Sequence, residues 1–143
     1  MAIDQLFVEL GVEPTVLDLG DVKHYSATGI DIFVGNIFDV SSKMLGAVDA
    51  VYDRAALVAL PKAMRNRYTA HLMEVTDKAP QLLVTYEYDQ SVMDGPPFSI
   101  SDEEVNQHYR HSYGLNLLVS ADVPGGLKGK CAAKETVWRL QTG

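Results

Sequence analysis

The stretch that most constrains the fold is residues 81–86, QLLVTY, which is almost continuously apolar. Such a run is typical of a strand that is buried on both faces in a parallel sheet. It follows a segment of good helix formers from about 61 to 74, and a β-type run at 48–52 precedes that segment. The order strand, helix, strand predicts an α/β domain with a mainly parallel sheet.

Further elements lie on both sides of this unit. Ile3, Leu6, Phe7 and Leu10 have helical spacing, and Gly11 is a natural stop for that helix. Short strands are predicted at 15–19, 22–25 and 30–35. A helix from 102 to about 111, capped by a serine at 99 or 101, precedes two strands at 116–120 and 136–140. The last two strands predict a C-terminal antiparallel hairpin.

Size and charge narrow the class of protein. The chain has 143 residues, and 12 Lys+Arg against 19 Asp+Glu give a formal charge of −7. This length predicts one domain, residues 1–143. With no basic run, nucleic acid and membrane are not expected as partners. The single cysteine, Cys131, fits a reducing, cytoplasmic location, and the apolar stretches fall short of the ~18 residues that a membrane span needs.

A metal site is not predicted. His108 and His111, three residues apart on the predicted helix, share one face, but no third ligand follows at a convincing spacing. The simpler interpretation is a solvated helix end where partly charged histidines favour the helix dipole.

Three segments together carry a family resemblance. They are GNIFD at 35–39, YDRAAL at 52–57 with Met64-Arg65 and Arg67-Tyr68 behind it, and YDQ at 88–90 leading to GPPF at 95–98. In this order and at this spacing they resemble the thiopurine S-methyltransferase family. The resemblance runs from about Ile3 to Arg139 and corresponds to the C-terminal two-thirds of the family.

The resemblance implies a class I S-adenosylmethionine-dependent methyltransferase fold, which is Rossmann-like. It also implies a chain truncated at the N-terminus, a single partial domain without the family's first strand and its glycine-rich turn. Gly11, Gly20 and Gly29 each stand alone between apolar runs and form no such turn. The methyl donor, S-adenosyl-L-methionine, would therefore meet an incomplete site.

Site residues are implied in the same way. Asn36 and Ile37 match positions that border the adenine of the donor, and Arg54 matches an arginine beside both donor and acceptor. A loop that helps to close the acceptor pocket is matched by Tyr88, Asp89, Pro96, Pro97 and Phe98. Some of these residues have a plainer interpretation: Arg54 as an ion-pair partner of Asp53 or Asp89, Asn36 as a turn residue, and the paired prolines as a rigid loop.

The implied reaction is in-line methyl transfer to the sulfur of a small aromatic or heterocyclic thiol, or to selenium or tellurium. Alignment of donor and acceptor supplies most of the acceleration, and a cation such as Arg54 would hold the acceptor as a thiolate. The alternative is a catalytically inactive remnant that binds small ligands or oligomerises. Exposed strand edges favour a homo-oligomer.

Overall fold

The computed structural model describes residues 2–142 and divides the backbone into two compact units, residues 1–44 and 45–143. That the two form the single partial domain expected from the sequence stays a prediction. Each unit contains its own β-sheet, so the fold is mixed α/β with two sheets.

The first unit is a helix with a three-stranded antiparallel sheet. Helix α1 (Ala2–Leu10) precedes strands β1 (Thr15–Asp18), β2 (Val22–Ala27) and β3 (Ile30–Gly35), which pair in the order β1-β2-β3. Phe7 of α1 is buried, and its ring stacks on that of Tyr25 in β2 at 6.1 Å between centroids. The helical stripe and the three short strands predicted here are confirmed.

Gly35 ends β3 in a place that only glycine fits. Its φ is +155°, and a Cβ added there would lie 2.7 Å from the carbonyl oxygen of Asp21. Any side chain would therefore push the end of β3 away from the start of β2, just before Asn36. A 3₁₀ helix, Ile37–Asp39, and a one-turn helix, α2 (Ser42–Leu45), follow.

The second unit is built on a four-stranded sheet. Its elements in chain order are β4 (Val51–Asp53), a 3₁₀ helix (Leu57–Ala59), α3 (Lys62–Val75), β5 (Gln81–Tyr88), α4 (Asp102–Tyr109), β6 (Gly114–Asp122) and β7 (Ala133–Gln141). The strand order is β4-β5-β7-β6. Strands β6 and β7 form the predicted C-terminal hairpin, which is confirmed.

The prediction of a mainly parallel sheet is wrong for the described residues. Only β4 and β5 pair in parallel, while β5–β7, β7–β6 and both pairings of the first sheet are antiparallel. The apolar run in β5 was misleading because burial reflects the layers that cover a strand, not the direction of its neighbours. Leu82 is 40% exposed, so even the burial on both faces is incomplete.

The core of the second unit lies on one face of this sheet. Asp53, Leu83 and Trp138 are neighbours across β4, β5 and β7 and are all buried. Helix α3 covers this face, with Tyr68 reaching Asp53, and α4 contributes the fully buried Val105 and Tyr109. The sheet and α3 together fix the position of the turn that follows β4.

Candidate functional site

The turn after β4 is anchored by a buried carboxyl group. Asp53 is 3% exposed, and its Oδ1 accepts hydrogen bonds from the backbone N–H groups of Ala56 at 3.0 Å and Leu57 at 3.2 Å. These bonds fold residues 53–57 into a tight turn that leads into the 3₁₀ helix. Arg54 lies within that turn, so Asp53 fixes the backbone from which the Arg54 side chain leaves.

Tyr68 of α3 completes this anchor. Its hydroxyl donates to Oδ2 of Asp53 at 2.7 Å. Burial, followed by the charge of Asp53 and the hydrogen bond to it, raises the pKa of Tyr68 well above its ordinary value. The hydroxyl therefore stays protonated and serves as a permanent donor.

A cavity of about 320 Å³ opens beside the turn. It is lined by Arg54, Ala55, Val58, Ala59, Tyr86, Pro96 and Pro97. Arg54 is the cation of this otherwise largely apolar lining, and it directly follows the carboxyl end of β4. Ligands of open α/β sheets bind at the carboxyl ends of parallel strands, and this volume is within the range of small-molecule sites.

Tyr86 gives the cavity a hydroxyl group. It is half-buried in β5 and pairs in register with Glu135 of β7. Burial, then the hydrogen bond and the charge of Glu135, raise the pKa of Tyr86, and the opposing effect of Arg54 is smaller. At neutral pH the cavity therefore carries a neutral phenol beside a guanidinium.

The second wall of the cavity is the loop that contains Pro96 and Pro97. The first wall is the turn after β4 together with its 3₁₀ helix. The amide of Phe98 donates to the carbonyl of Val58 in that helix at 2.7 Å, which ties the loop to the first wall. On the other side, the hydroxyl of Tyr88 donates to the carbonyl of Pro97 at 2.6 Å. The peptide group between Pro97 and Phe98 is thus held on both of its sides.

Three of the predicted site residues meet in this cavity: Arg54, Pro96 and Pro97. Tyr88, Asp89 and Phe98 are not among its lining residues. The Tyr88 ring is buried in a cluster with Met93 and Ala133, and Phe98 lies 5.8 Å from the guanidinium carbon of Arg65. Their direct contact with an acceptor stays a prediction.

Asp89 is exposed and has a local role. Its Oδ1 accepts from the amide of Ser91 at 3.0 Å and from the Ser91 hydroxyl at 2.6 Å. These two bonds lower the pKa of Asp89, first through the hydroxyl and then through the amide. The plain alternative for Arg54, an ion pair with Asp53 or Asp89, is not seen among the ion pairs of residues 2–142.

Asn36 and Ile37 lie in the first unit, directly after β3. Asn36 caps the 3₁₀ helix, since its Oδ1 accepts from the amide of Phe38 at 3.0 Å, which leaves Nδ2 to contact a ligand. Ile37 is 38% exposed. Their role at the adenine stays a prediction.

The residues that sequence reasoning missed are Tyr86, which lines the cavity, and the pair that supports it, Asp53 and Tyr68. An aspartate that follows a strand and precedes a turn commonly binds backbone amides, so Asp53 carried a usable signal. Tyr68 carried none, because its partner lies 15 residues away and only the packing of α3 brings them together.

His108 has a different use from metal binding. Its Nε2 lies 2.9 Å from Oε2 of Glu104, and that oxygen is 2.7 Å from Nε of Arg65. Within residues 2–142 there is no group of three or more His, Cys, Asp or Glu that could hold a metal ion. No helix in the same part of the chain is long and apolar enough to cross a membrane.

The molecule is a mixed α/β protein whose β4 turn borders a cavity with one arginine, Arg54, in its lining. Comparison with known proteins then identifies the family. The sequence profile of the thiopurine S-methyltransferase family matches residues 1–142. The chain belongs to the thiopurine S-methyltransferase family, and the predicted resemblance is confirmed.

Relatives named thiopurine S-methyltransferase are found in several bacteria. The one from Xanthobacter autotrophicus is 54% identical over 99% of this chain and 66% of its own length. Those from Teredinibacter turnerae and Gluconobacter oxydans are 50% and 47% identical, each over 98% of this chain and over 65% and 64% of their own lengths. The chain therefore spans just under two thirds of the length of these relatives.

Proposed function

We propose that this chain takes part in the transfer of a methyl group from S-adenosyl-L-methionine to the sulfur of a small aromatic or heterocyclic thiol. Selenium and tellurium compounds, which are equally soft nucleophiles, are included in the acceptor class. The observation that carries the proposal is Arg54 in the cavity between the β4 turn and Pro96-Pro97. The names of the relatives support the same reaction.

The cavity suits the acceptor better than the donor. A bound donor supplies an activated methyl group on a sulfonium cation, and a cation beside the Arg54 guanidinium would be repelled. An anionic thiolate would be attracted, and it is also the more reactive form of the acceptor. We therefore assign the cavity to the acceptor.

The apolar part of the lining has a second task. Val58, Pro96 and Pro97 offer surfaces against which a planar ring packs, and they exclude water from the sulfur. A desolvated thiolate beside a fixed guanidinium is held in reactive form without a general base. These residues thus bind, orient and ionise the acceptor.

For the adenine of the donor we propose Asn36 and Ile37, as the family resemblance implies. The exposed Ile37 side chain fits one face of an adenine, and Nδ2 of Asn36 fits its ring nitrogens. We also propose a class I, Rossmann-like methyltransferase fold and a cytoplasmic location.

The test compares Arg54→Gln with Arg110→Gln. Arg110 is exposed at the C-terminal end of α4 and does not line the cavity. Methyl transfer from labelled S-adenosyl-L-methionine to a thiopurine is measured, together with the heat of binding of S-adenosylhomocysteine. We expect Arg54→Gln to lower kcat/KM about 10²–10³-fold, while Arg110→Gln leaves it unchanged. The loss should shrink for an acceptor that is already ionised at the assay pH.

The alternative, a catalytically inactive module that binds ligands or oligomerises, predicts a different result. It is favoured by heat of binding without methyl transfer. Absence of both heat and transfer at high concentration would refute the proposed function for this chain.

We also propose a homo-oligomer formed through exposed strand edges. Strand β6 is an edge of its sheet and is exposed along nearly all of its length, with Leu117, Leu118 and Val119 each 46–50% exposed. It contains no Lys or Pro to discourage pairing, and Asp122 is its one charged residue. Light scattering should show a multimer that Val119→Lys converts to a monomer, and a monomeric parent chain would contradict the proposal.

A further inference from the structure

The wall formed by Pro96 and Pro97 depends on other residues for its position. Proline has no backbone N–H, so these two residues offer only carbonyl acceptors. Whatever fixes their position must act on those carbonyls or on the residues that flank them. The loop between β5 and α4 supplies such a group from within its own sequence.

Gln90 joins three points of this loop through its side-chain amide. Its Nε2 donates to the hydroxyl of Tyr88 at 2.8 Å and to the carbonyl of Met93 at 2.7 Å. Its Oε1 accepts from the amide of Ser99 at 2.8 Å. Both N–H donors of the amide are used, and so is its oxygen.

These bonds reach the wall from both sides. The Tyr88 hydroxyl, which accepts from Gln90, donates to the carbonyl of Pro97, and hydrogen bonds chained in this way strengthen one another. The Ser99 amide directly follows Phe98, whose own amide is bonded to Val58 across the cavity. Gln90 therefore acts on Pro97 through Tyr88 and on Phe98 through Ser99.

Tyr88 and Gln90 differ in their burial. Tyr88 is 9% exposed and fixed in its hydrophobic cluster, whereas Gln90 is exposed and does not line the Arg54 cavity. Packing in the core therefore does not explain why residue 90 is a glutamine. Its hydrogen bonds do, because they join the end of β5, at Tyr88, to Met93 and Ser99 of the loop that forms the wall.

We infer that Gln90 is a positioning residue for the acceptor cavity: it holds the Pro96-Pro97 wall at a fixed separation from Arg54. The inference rests on the proposed function and deepens it, since it names the group that determines how tightly a planar acceptor is held. Gln90 itself touches neither donor nor acceptor.

The first test is kinetic and uses the whole chain. Gln90→Met keeps the length of the side chain and removes all three bonds, and Gln107→Met makes the same change on the exposed side of α4. We expect Gln90→Met to raise the KM of a thiopurine about tenfold and to leave the KM of S-adenosyl-L-methionine within about twofold. Loss of folded protein would instead lower kcat at unchanged KM.

An unchanged thiopurine KM, or an equal rise for donor and acceptor, would overturn the inference. Gln107→Met should match the parent chain in both constants.

The second test does not depend on turnover. Amide hydrogen exchange at Ser99 should become at least about tenfold faster in Gln90→Met and stay near the parent rate in Gln107→Met. If the parent chain neither binds S-adenosylhomocysteine nor methylates a thiopurine, the proposed function fails, and this exchange measurement alone decides whether Gln90 holds the wall. Parent-like exchange in Gln90→Met would overturn the inference.

Discussion

The wall that carries Arg54 is anchored by a buried carboxyl group, whereas the wall of Pro96 and Pro97 is held by an exposed amide. Asp53, at 3% exposure, binds two backbone amides and the Tyr68 hydroxyl. Gln90 also makes three bonds, but its residue is exposed to solvent. Equal numbers of hydrogen bonds therefore sit in opposite surroundings.

The comparison indicates that burial decides what each anchor contributes. A buried donor that loses its acceptor cannot turn to water, so the full desolvation penalty remains. An exposed donor is hydrated instead, and the loss is mainly one of position. Substitutions in the first wall should therefore mainly lower the free energy of unfolding, and substitutions in the second wall should mainly change the shape of the cavity.

The largest effect is expected for Asp53→Ala. It leaves two backbone amides and the Tyr68 hydroxyl without their acceptor, and we expect the free energy of unfolding to fall by about 3 kcal/mol or more. Urea unfolding of the whole chain measures it. Asp49→Ala, at an exposed aspartate, is the matched control and should change the free energy by less than about 0.5 kcal/mol.

Asp53→Asn sharpens this result. Its Oδ1 still accepts from Ala56 and Leu57, and the Tyr68 hydroxyl can turn to accept from Nδ2, so the loss should be clearly smaller than for Asp53→Ala. Equal losses would mean that the charge, not the geometry of acceptance, stabilises the turn.

A smaller effect is expected for Tyr68→Phe, which removes one of the three bonds. The loss at neutral pH should be about 1.5–3 kcal/mol, the range for a hydrogen bond to a charged group. If Tyr68→Phe were as stable as the parent chain, the carboxyl group of Asp53 would not depend on α3 for its position.

Tyr68 also predicts a dependence on pH. An unfolded tyrosine loses its proton near pH 10, but the folded Tyr68 has a raised pKa and keeps it. Above about pH 10 the unfolded state binds fewer protons, so this residue lowers the free energy of unfolding by about 1.4 kcal/mol per pH unit. Below that pH its contribution to stability is fully present.

The difference between parent and Tyr68→Phe isolates this effect. Tyr86, Tyr109 and Tyr113, whose pKa values are also raised by burial, contribute in both proteins. Denaturation at several alkaline pH values should show a shallower decline in Tyr68→Phe. Parallel declines would show that Tyr68 ionises normally in the folded chain.

The sequence predicted the positions of most helices and strands but not the direction in which most of the strands pair. Hydrophobic spacing located α1, helix-forming residues located α3, and apolar β-type runs located β5 and the final hairpin, because each of these signals is local in the sequence. The prediction misjudged the direction of most strand pairings, since the apolar run of β5 records coverage by neighbouring layers and not the course of adjacent strands.

The candidate site likewise contains residues that the sequence could identify and residues that it could not. Arg54, Pro96 and Pro97 were identified from segments that resemble the family, and the structure brings these three to one cavity. Tyr68 and Gln90 were not identified as supports, because their roles depend on partners that folding brings near. Contacts of this kind leave no periodic pattern in a single sequence.

The smallest effect is expected at the second wall. Gln90→Met removes as many hydrogen bonds as Asp53→Ala, but Gln90 is itself exposed, so water reaches this site more easily than the Asp53 site. We expect the free energy of unfolding to fall by about 0.5–1 kcal/mol, less than in Tyr68→Phe. Urea unfolding beside Gln107→Met and Tyr68→Phe gives the comparison. A loss as large as that of Tyr68→Phe would place the loop within the cooperative core and remove the distinction between the walls. A small loss of stability together with faster exchange at Ser99 would mean that the two walls have separate tasks. The wall behind Arg54 would stabilise the fold, and the wall opposite would hold the acceptor cavity in shape without contributing much to global stability.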